Sequence, residues 1–536
     1  SDVSPDHRHR EITSEQTVKL IFNEVSGTAV KQNKKPLSIT RSNPNMASNI
    51  RYRRHFIYGF FSKFLSTLCM TVAFSYPAIA ESGFEDPNDP GLFTPSQKSN
   101  SSWLEAIGPG QGPKRRNAIK SDAHENVKSF YHARYCLSCH EGQQKNLHYA
   151  RTNLVCRDCH ISKPIAGIDN PNAAAYAKHR YQKVCAKCHE GAGPGMGSYV
   201  IHEKPPWSDQ TRQDFPALYW STILILALAA GVFVFFMPYT SAWAWREIKL
   251  HLQNRHSEVN PPKQTILIER FTRGERWLHT ILIICFMALS VTGVAWMYIE
   301  TGLGKTLAWP LGGAEGAVWV HRLFGLILMA VFVAHIAYLI RSTLSGKPGL
   351  LSGPDSLVWT WSDFKAVLHH MAWLFGRREH PVFDRWSWWQ KFDYWAVWWG
   401  LVIVGITGLV MFDSVLATTV LPGWMMNVAR WVHKVEAILA MAHIFIVHFF
   451  IESYRPNAFP LNAHIFHGAA ELQALEHEHP AWIERMQAEG RLEERIITQP
   501  PRAVQIAFFS FGLSMVCLGL LLLLGMLVFA VDLSIY

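Results

Sequence analysis

The sequence predicts an all-α fold: a polytopic bundle of six transmembrane helices with a four-helix core, preceded by a small polar domain of low secondary structure. Three observations predict this architecture. Six apolar runs are long enough to cross a bilayer as helices. The loops between them alternate in charge, and a polar segment before them contains the pattern Cys-x-x-Cys-His three times.

The apolar runs define the membrane part of the chain. They cover about 217–237, 276–298, 319–340, 392–412, 428–451 and 505–531. The aromatic share of 13%, with 21 Trp, agrees with this assignment because Trp collects at membrane–water interfaces. We assign 217–237 to a first membrane helix, 265–460 to a four-helix module, 461–502 to a helical segment outside the membrane, and 505–531 to a last membrane helix.

The loop charges predict the orientation. Loops 238–275, 341–391 and 453–502 are rich in Lys and Arg, whereas 299–318 has only Lys305 and 413–427 has neither. Because basic loops stay in the cytoplasm, the polar domain and the C-terminus are expected in the periplasm. The sequence therefore predicts a multi-pass protein of a bacterial inner membrane, in contact with lipid.

The segment before the polar domain has the features of an export signal rather than of a folded domain. Residues 1–45 are polar without periodicity and are interpreted as an upstream extension. Residues 46–80 combine a basic start, an apolar stretch and the sequence Ala-Ile-Ala at their end, which predicts a signal peptide. An uncleaved membrane anchor is the alternative. Residues 81–120 read as a linker to a domain at 121–210.

The repeated motif predicts covalent haem c. Two thiols one helical turn apart can add to the two vinyl groups of one haem, and the His that follows can bind its iron. A single motif could equally be a zinc half-site or a thiol redox pair, but three in one exported segment favour three haems c. The motif residues are Cys136, Cys139, His140, Cys156, Cys159, His160, Cys185, Cys188 and His189.

The sequence offers several sixth ligands for these irons without pairing them. The candidate imidazoles are His124, His132, His148, His179 and His202. Met196 is an alternative thioether ligand.

Histidines inside apolar helices predict a second set of irons. Imidazoles are costly in lipid and are usually functional there. His321 and His335 are 14 residues apart, which is about 21 Å along a helix and about 40° around it. His433 and His448 are 15 apart, about 22 Å and about 60°. Two helices therefore each carry one His near either membrane surface.

Without a cysteine motif, haem bound by these residues would be the non-covalent b type. The expected outer pair is His321 with His433. The inner haem would take His448 with either His279 or His335. The alternative is a set of hydrogen-bonded interhelical histidines. His443 points away from both sites and is interpreted as packing.

Three segments carry a family resemblance: "RFTRGERWLHTILIICFMALSVTG", "VHRLFGLILMAVFVAHIAYL" and "VHKVEAILAMAHIFIVHFFIESYRPNAFP". They resemble the di-haem cytochrome b of the formate dehydrogenase gamma-subunit and hydrogenase cytochrome b group, over about 265–485. "KFDYWAVWWGLVIVGITGLV" resembles a branch in which this module is fused to a periplasmic multihaem cytochrome c. The resemblance implies the ligand pairs His279 with His448 and His321 with His433, with His335 as a rival to His279.

The resemblance also implies quinone chemistry. Candidate residues for quinone binding and proton handling are Glu436, one turn from His433, and Asp393 and Glu269, expected near the cytoplasmic ends of their helices. The alternative for Glu436 is a salt bridge with a neighbouring Lys or Arg.

Together these features predict an electron carrier between the quinone pool and a periplasmic redox partner, with quinol oxidation as the favoured direction. The alternative is a non-catalytic anchor and relay subunit of a larger respiratory dehydrogenase or reductase. The sequence contains no nucleotide-binding glycine motif, hydrolase triad or nucleic-acid signature.

Overall fold

The computed structural model describes residues 148, 154, 156–160, 171–254, 266–346, 349–456 and 458–529. The upstream extension, the signal peptide and the linker lie outside the described residues. So do the first motif (Cys136, Cys139 and His140) and the candidate ligands His124 and His132.

The described chain is mostly helical. In chain order the helices are α1 (Cys156–Cys159), α2 (Arg180–Lys183), α3 (Asp209–Asp214), α4 (Pro216–Asn254), α5 (Arg273–Met297), α6 (Gly302–Ala308), α7 (Gly313–Leu344), α8 (Trp361–Leu374), α9 (Trp388–Phe412), α10 (Ser414–Val420), α11 (Trp424–Ala442), α12 (His464–His467), α13 (Leu472–Glu478), α14 (Pro480–Ala488) and α15 (Arg502–Val528). Short 3₁₀ segments occur at Cys185–Lys187, Pro194–Ser198, Trp309–Leu311 and Glu493–Arg495.

The prediction of six membrane helices is confirmed. Helices α4, α5, α7, α9, α15 and the span Trp424–Tyr454, which begins with α11, are long and apolar enough to cross a bilayer. Helix α4 continues well past the predicted 217–237. In this extension Trp243 is buried and donates to Glu247 at 2.8 Å.

The fifth span changes its helix type. After α11 the chain continues as π-helix at His443–His448 and Phe450–Tyr454. A π-helix closes its hydrogen bonds over five residues, so each residue turns the chain less than in an α-helix. This stretch therefore reduces the angular offset that a regular α-helix would give His433 and His448.

The membrane helices pack in pairs. Helix α5 packs against α7 and α9 against α11, which forms the four-helix core. Helix α4 packs on α11, and α15 packs on α5. At Gly519 of α15, a β-carbon would lie 2.7 Å from the Phe445 ring, so glycine is what permits this close approach.

The two ends of the bundle differ. We call the end formed by 171–215 and 413–424 the motif face, and the end formed by 266–272, 349–387 and 455–501 the opposite face. A three-stranded antiparallel sheet lies at the opposite face, in the order β2 (Ala469–Glu471), β1 (Leu267–Glu269), β3 (Ile496–Ile497). Leu267 is opposite both Glu471 and Ile497.

The opposite face corrects two predictions. Glu269 was expected near a helix end, but it lies in strand β1, where its carbonyl accepts from Arg495 at 3.2 Å. The predicted helical segment 461–502 is broken into α12, β2, α13, α14 and β3. Gly468, with a φ of 83°, ends α12, and Pro480 starts α14 where α13 has ended.

Ion pairs tie the opposite face together. Arg485 contacts Asp355 at 2.6 Å and Asp384 at 2.7 Å, and Arg385 contacts Glu275 at 3.0 Å. Burial lowers the pKa of Arg270 to about 9, and the neighbouring Arg385 adds to this. The segment after the fifth span is therefore docked on the bundle rather than extended into solvent.

Candidate functional site

The outer site joins two helix pairs through two histidines. His321 of α7 and His433 of α11 have ring centres 6.3 Å apart. The Nδ1 of His321 lies 2.8 Å from the Thr292 hydroxyl of α5, and the Nδ1 of His433 lies 3.0 Å from the Thr407 hydroxyl of α9. Each histidine is thus held by the other helix of its own pair.

The threonines determine which nitrogen of each ring is available. Thr292 donates to the Ala288 carbonyl at 2.7 Å, and Thr407 donates to the Ile403 carbonyl at 2.6 Å. A hydroxyl has one proton to donate, so toward the ring it acts as an acceptor. Each imidazole therefore carries its proton on Nδ1 and keeps the Nε2 lone pair for a metal.

A glycine follows each threonine and gives the rings room. A β-carbon at Gly293 would lie 3.7 Å from His321, and one at Gly408 would lie 3.4 Å from His433. The Thr-Gly pairs of α5 and α9 hence supply a hydrogen-bond acceptor and free volume together. No role was predicted for these threonines from the sequence, although the repeated Thr-Gly dipeptide could have indicated one.

The inner site pairs the other two histidines. His279 of α5 and His448 have ring centres 6.4 Å apart. Asp393 of α9 accepts from His448 Nδ1 at 3.1 Å and from His443 Nε2 at 3.0 Å. His443, expected as packing, is therefore a second hydrogen-bond partner of this carboxylate.

His335, the rival of His279, lies in another environment. Its Nε2 is 3.1 Å from the Tyr394 hydroxyl, and its ring neighbours are Tyr338 and Trp398. The structure thus brings His448 together with His279. His335 instead contacts aromatic side chains of α7 and α9.

Glu436 lies between the two sites. It is 3% exposed, and a β-carbon at Gly400 would lie 3.5 Å from its Oε1. Its Oε2 has no hydrogen-bond partner in the part of the chain that the structure describes. A buried carboxyl oxygen without a partner is costly, so this position calls for a protonated carboxyl or a further ligand.

Two CxxCH motifs share one backbone hydrogen bond, although the first is α-helical and the second forms a 3₁₀ turn. The His160 amide donates to the Cys156 carbonyl at 2.9 Å, and the His189 amide donates to the Cys185 carbonyl at 2.8 Å. Each motif thereby closes one helical turn that brings both thiols and the imidazole to one side. The cysteines Cys156, Cys159, Cys185 and Cys188 are not in disulfides.

The two motifs are neighbours in space. Burial raises the pKa of the Cys159 thiol, and Asp158 and the thiols of Cys185, Cys188 and Cys156 raise it further. Burial also raises the pKa of Cys185, against the opposing effect of Arg180. Thiols of both motifs therefore belong to one cluster.

Each of these motif histidines faces a second imidazole. His160 and His202 are stacked with ring centres 6.4 Å apart, and His148 and His189 are also 6.4 Å apart in an edge contact. His179 and Met196 are placed elsewhere. The His179 Nε2 is 2.8 Å from the Ala173 carbonyl, and Met196 is buried in the 3₁₀ segment that contacts α10.

One carboxylate joins the motif region to the outer site. Glu203, next to His202, accepts from Asn427, from Arg430 and, at 2.9 Å, from the Trp431 indole. Asn427 also donates to the Val200 carbonyl at 2.7 Å. All three donors lie on α11 within two turns of His433.

The four histidine pairs of these sites have ring separations compatible with a shared metal. Imidazole nitrogens bind metals at about 2.0 Å, so two rings that held one iron between them would have centres about 6.3 Å apart. The observed separations are 6.3 Å in the outer pair and 6.4 Å in the other three. The donor sets therefore fit haem iron, with motif cysteines beside two of the pairs.

Comparison with known proteins bears on the bundle. No curated protein matches the chain. Residues 195–353, which include α4, α5 and α7, match the family of prokaryotic cytochrome b561. Together with the six membrane helices, this match supports a multi-pass membrane cytochrome that binds b-type haem and takes part in electron transfer.

Proposed function

We propose that the protein carries electrons between the quinone pool and a periplasmic redox partner, through two haems b and three haems c. The observation that supports this most is the recurrence of one ring separation in four histidine pairs, two beside CxxCH motifs and two inside the membrane helices. In each of these four pairs the two rings come from segments distant in sequence, whereas His464 and His467, also 6.3 Å apart, are neighbours on the short helix α12.

The residues of this chain have distinct roles in the proposal. His321 with His433 and His279 with His448 hold the haems b, and His160 with His202 and His189 with His148 hold two haems c. The third haem c is assigned to the first motif. Haem iron supplies one-electron carriers, which the protein positions in a row from the opposite face to the motif face.

The contact of Glu203 with α11 is the proposed junction between the two kinds of haem. It fixes His202, and hence the His160 pair, relative to Arg430 and His433. The Arg430 side chain is 19% exposed and the Glu203 side chain 10% exposed, so this ion pair is shielded from screening by salt. A rigid junction keeps the distance between donor and acceptor constant.

Oxidation of a quinol releases two electrons and two protons, and the protons need acceptors of their own. Asp393 beside the inner site and Glu436 between the sites are the proposed acceptors, and Glu269, in strand β1 just before α5, is a further candidate.

The first experiment is a pyridine haemochrome assay on the purified protein, with the addition of a quinol under anaerobic conditions. We expect haem c and haem b in a ratio of about three to two, and reduction of the b haems before the c haems. A protein without haem b, or b haems that quinol cannot reduce, contradicts the proposal. Further subunits in the purified material would favour the relay-subunit alternative.

A further inference from the structure

The inner and outer sites differ in the charge beside their ligands. At the outer site both Nδ1 atoms face neutral hydroxyls, Thr292 and Thr407. At the inner site the His448 Nδ1 faces the carboxylate of Asp393, while the His279 Nδ1 is buried without a hydrogen-bond partner among the described residues. The inner ligand set therefore has a carboxylate in direct contact with a ligand ring, which the outer set lacks.

We propose that Asp393 lowers the reduction potential of the inner haem b below that of the outer one, and so directs electrons from the opposite face toward the motif face. This inference rests on the proposed function, since it requires both haems b. Asp393 is in this role a positioning residue, because it acts on the iron through His448.

The physical basis is the hydrogen bond from His448 Nδ1 to Asp393. A carboxylate that accepts from a ligand imidazole raises the basicity of that imidazole and orients the ring. A more basic ligand and a nearby negative charge both stabilise ferric over ferrous iron. Inside a bundle of low dielectric constant this effect is weakly screened. A threonine hydroxyl is neutral, so it acts on the ring only through its dipole and has a weaker effect on the iron than a charge.

Other groups near Asp393 modify this effect. His443 donates to the second carboxylate oxygen at 3.0 Å and so draws negative charge away from His448. Glu452 also interacts electrostatically with His448 and Asp393, without a hydrogen bond to either in the described residues. Arg455, a positive group nearby, is paired with Glu247 at 3.2 Å. Asp393 is thus the charge in direct contact with the ligand.

The test is a redox titration of the purified protein, followed in the haem b absorbance bands. Asp393→Asn keeps the size of the side chain and removes its charge. We expect the ratio of reduced to oxidised inner haem at a fixed ambient potential to rise about tenfold, which corresponds to about 59 mV for one electron. The outer haem should not change, and Asp393→Glu should return the inner haem toward its original potential.

For a second variant we expect a change of the inner reduction potential in the opposite direction. His443→Phe removes the competing donor and retains an aromatic ring beside Phe236 and Phe392. The carboxylate then acts on His448 alone, so the inner potential should fall. If Asp393→Asn cannot retain the inner haem, this variant decides: a fall supports the proposal, and no change or a rise overturns it.

Glu452→Gln is the matched control, because it removes a nearby negative charge that is not hydrogen-bonded to the ligand. Its shift should be smaller than that of Asp393→Asn. An equal or larger shift, or equal shifts of both haems in Asp393→Asn, overturns the proposal. Two resolved haems b that do not respond to Asp393→Asn refute this inference alone, whereas the absence of haem b refutes the proposed function.

Discussion

The outer and inner histidine pairs have nearly the same ring separation, 6.3 and 6.4 Å, but different hydrogen-bond partners. The outer pair is nearly symmetric, with one Thr-Gly dipeptide behind each ring. The inner pair is asymmetric, with a carboxylate behind His448 only. Both ring separations are therefore compatible with a shared metal, whereas the hydrogen-bond partners of the ligand rings differ. We expect these partners to set the reduction potential of the haem that each site would bind.

The two sites also differ in how the helices form them. The outer site uses regular α-helical segments on four helices, with glycines that give room to the rings. The inner site depends on the π-helical stretch His443–His448. π-Helical turns inside longer helices often occur at functional sites, and here the stretch brings His443 and His448 to the same carboxylate.

The largest expected effect is loss of one haem at a time. His433→Leu should remove the outer haem b and His448→Leu the inner one, so each variant retains about half of the haem b. The pyridine haemochrome assay measures this against haem c. His335→Leu is the control and should retain both, since His335 contacts Tyr394 instead. Loss of haem b in that control would return His335 to the ligand set.

The second largest effect is expected from filling the space beside one ligand ring, which should affect the outer site alone. Gly408→Leu should displace the His433 ring, because even a β-carbon there would lie 3.4 Å away. Overpacking costs about 1–3 kcal/mol, which corresponds to about 5- to 140-fold weaker retention of the outer haem. The inner haem should persist. Gly231→Leu, at a position with open space in α4, should leave haem content unchanged. Equal losses in both variants would contradict a specific role for Gly408.

The third effect concerns the junction rather than either site. Glu203→Ala leaves three donors of α11 without their acceptor, at a cost of about 1–3 kcal/mol. Electron transfer from the b haems to the c haems should slow, as measured by stopped-flow absorbance after addition of quinol. Asp209→Ala removes an exposed pair with Arg212 and should transfer electrons at the original rate. An unchanged rate in Glu203→Ala would mean that the junction does not control transfer.

The smallest effect is expected from removing the neutral hydroxyl that contacts the His433 ring at the outer site. Thr407→Val keeps the shape of the side chain and removes the acceptor for His433, a hydrogen bond worth about 1 kcal/mol. We expect a slight loss of outer haem on dilution, followed by absorbance, and a smaller change in potential than Asp393→Asn produces at the inner site. A larger change in potential would show that a neutral hydroxyl affects its haem as strongly as the carboxylate does, which would contradict the contrast between the two sites.

Much of the molecule follows from the sequence because local rules determine it. A bilayer requires continuous apolar runs, so the six membrane helices could be read directly. The rise of a helix fixes depth, so His321 and His433 could be assigned to one level and His448 to the other. The two CxxCH motifs that the structure describes form their turns from their own backbone hydrogen bonds.

The tertiary structure decided the partner of each residue. The sequence left His279 and His335 as rivals and left the motif histidines unpaired, because the direction in which a helix faces depends on its neighbours. Asp393 was expected as a proton acceptor, and its contact with both His443 and His448 depends on a π-helical stretch that the apolar pattern does not reveal. Glu269 was misplaced because a strand of three residues forms only when its partners, distant in sequence, reach it. The sequence by itself thus determined which residues lie in the membrane and at what depth, and packing between distant segments determined which of them meet.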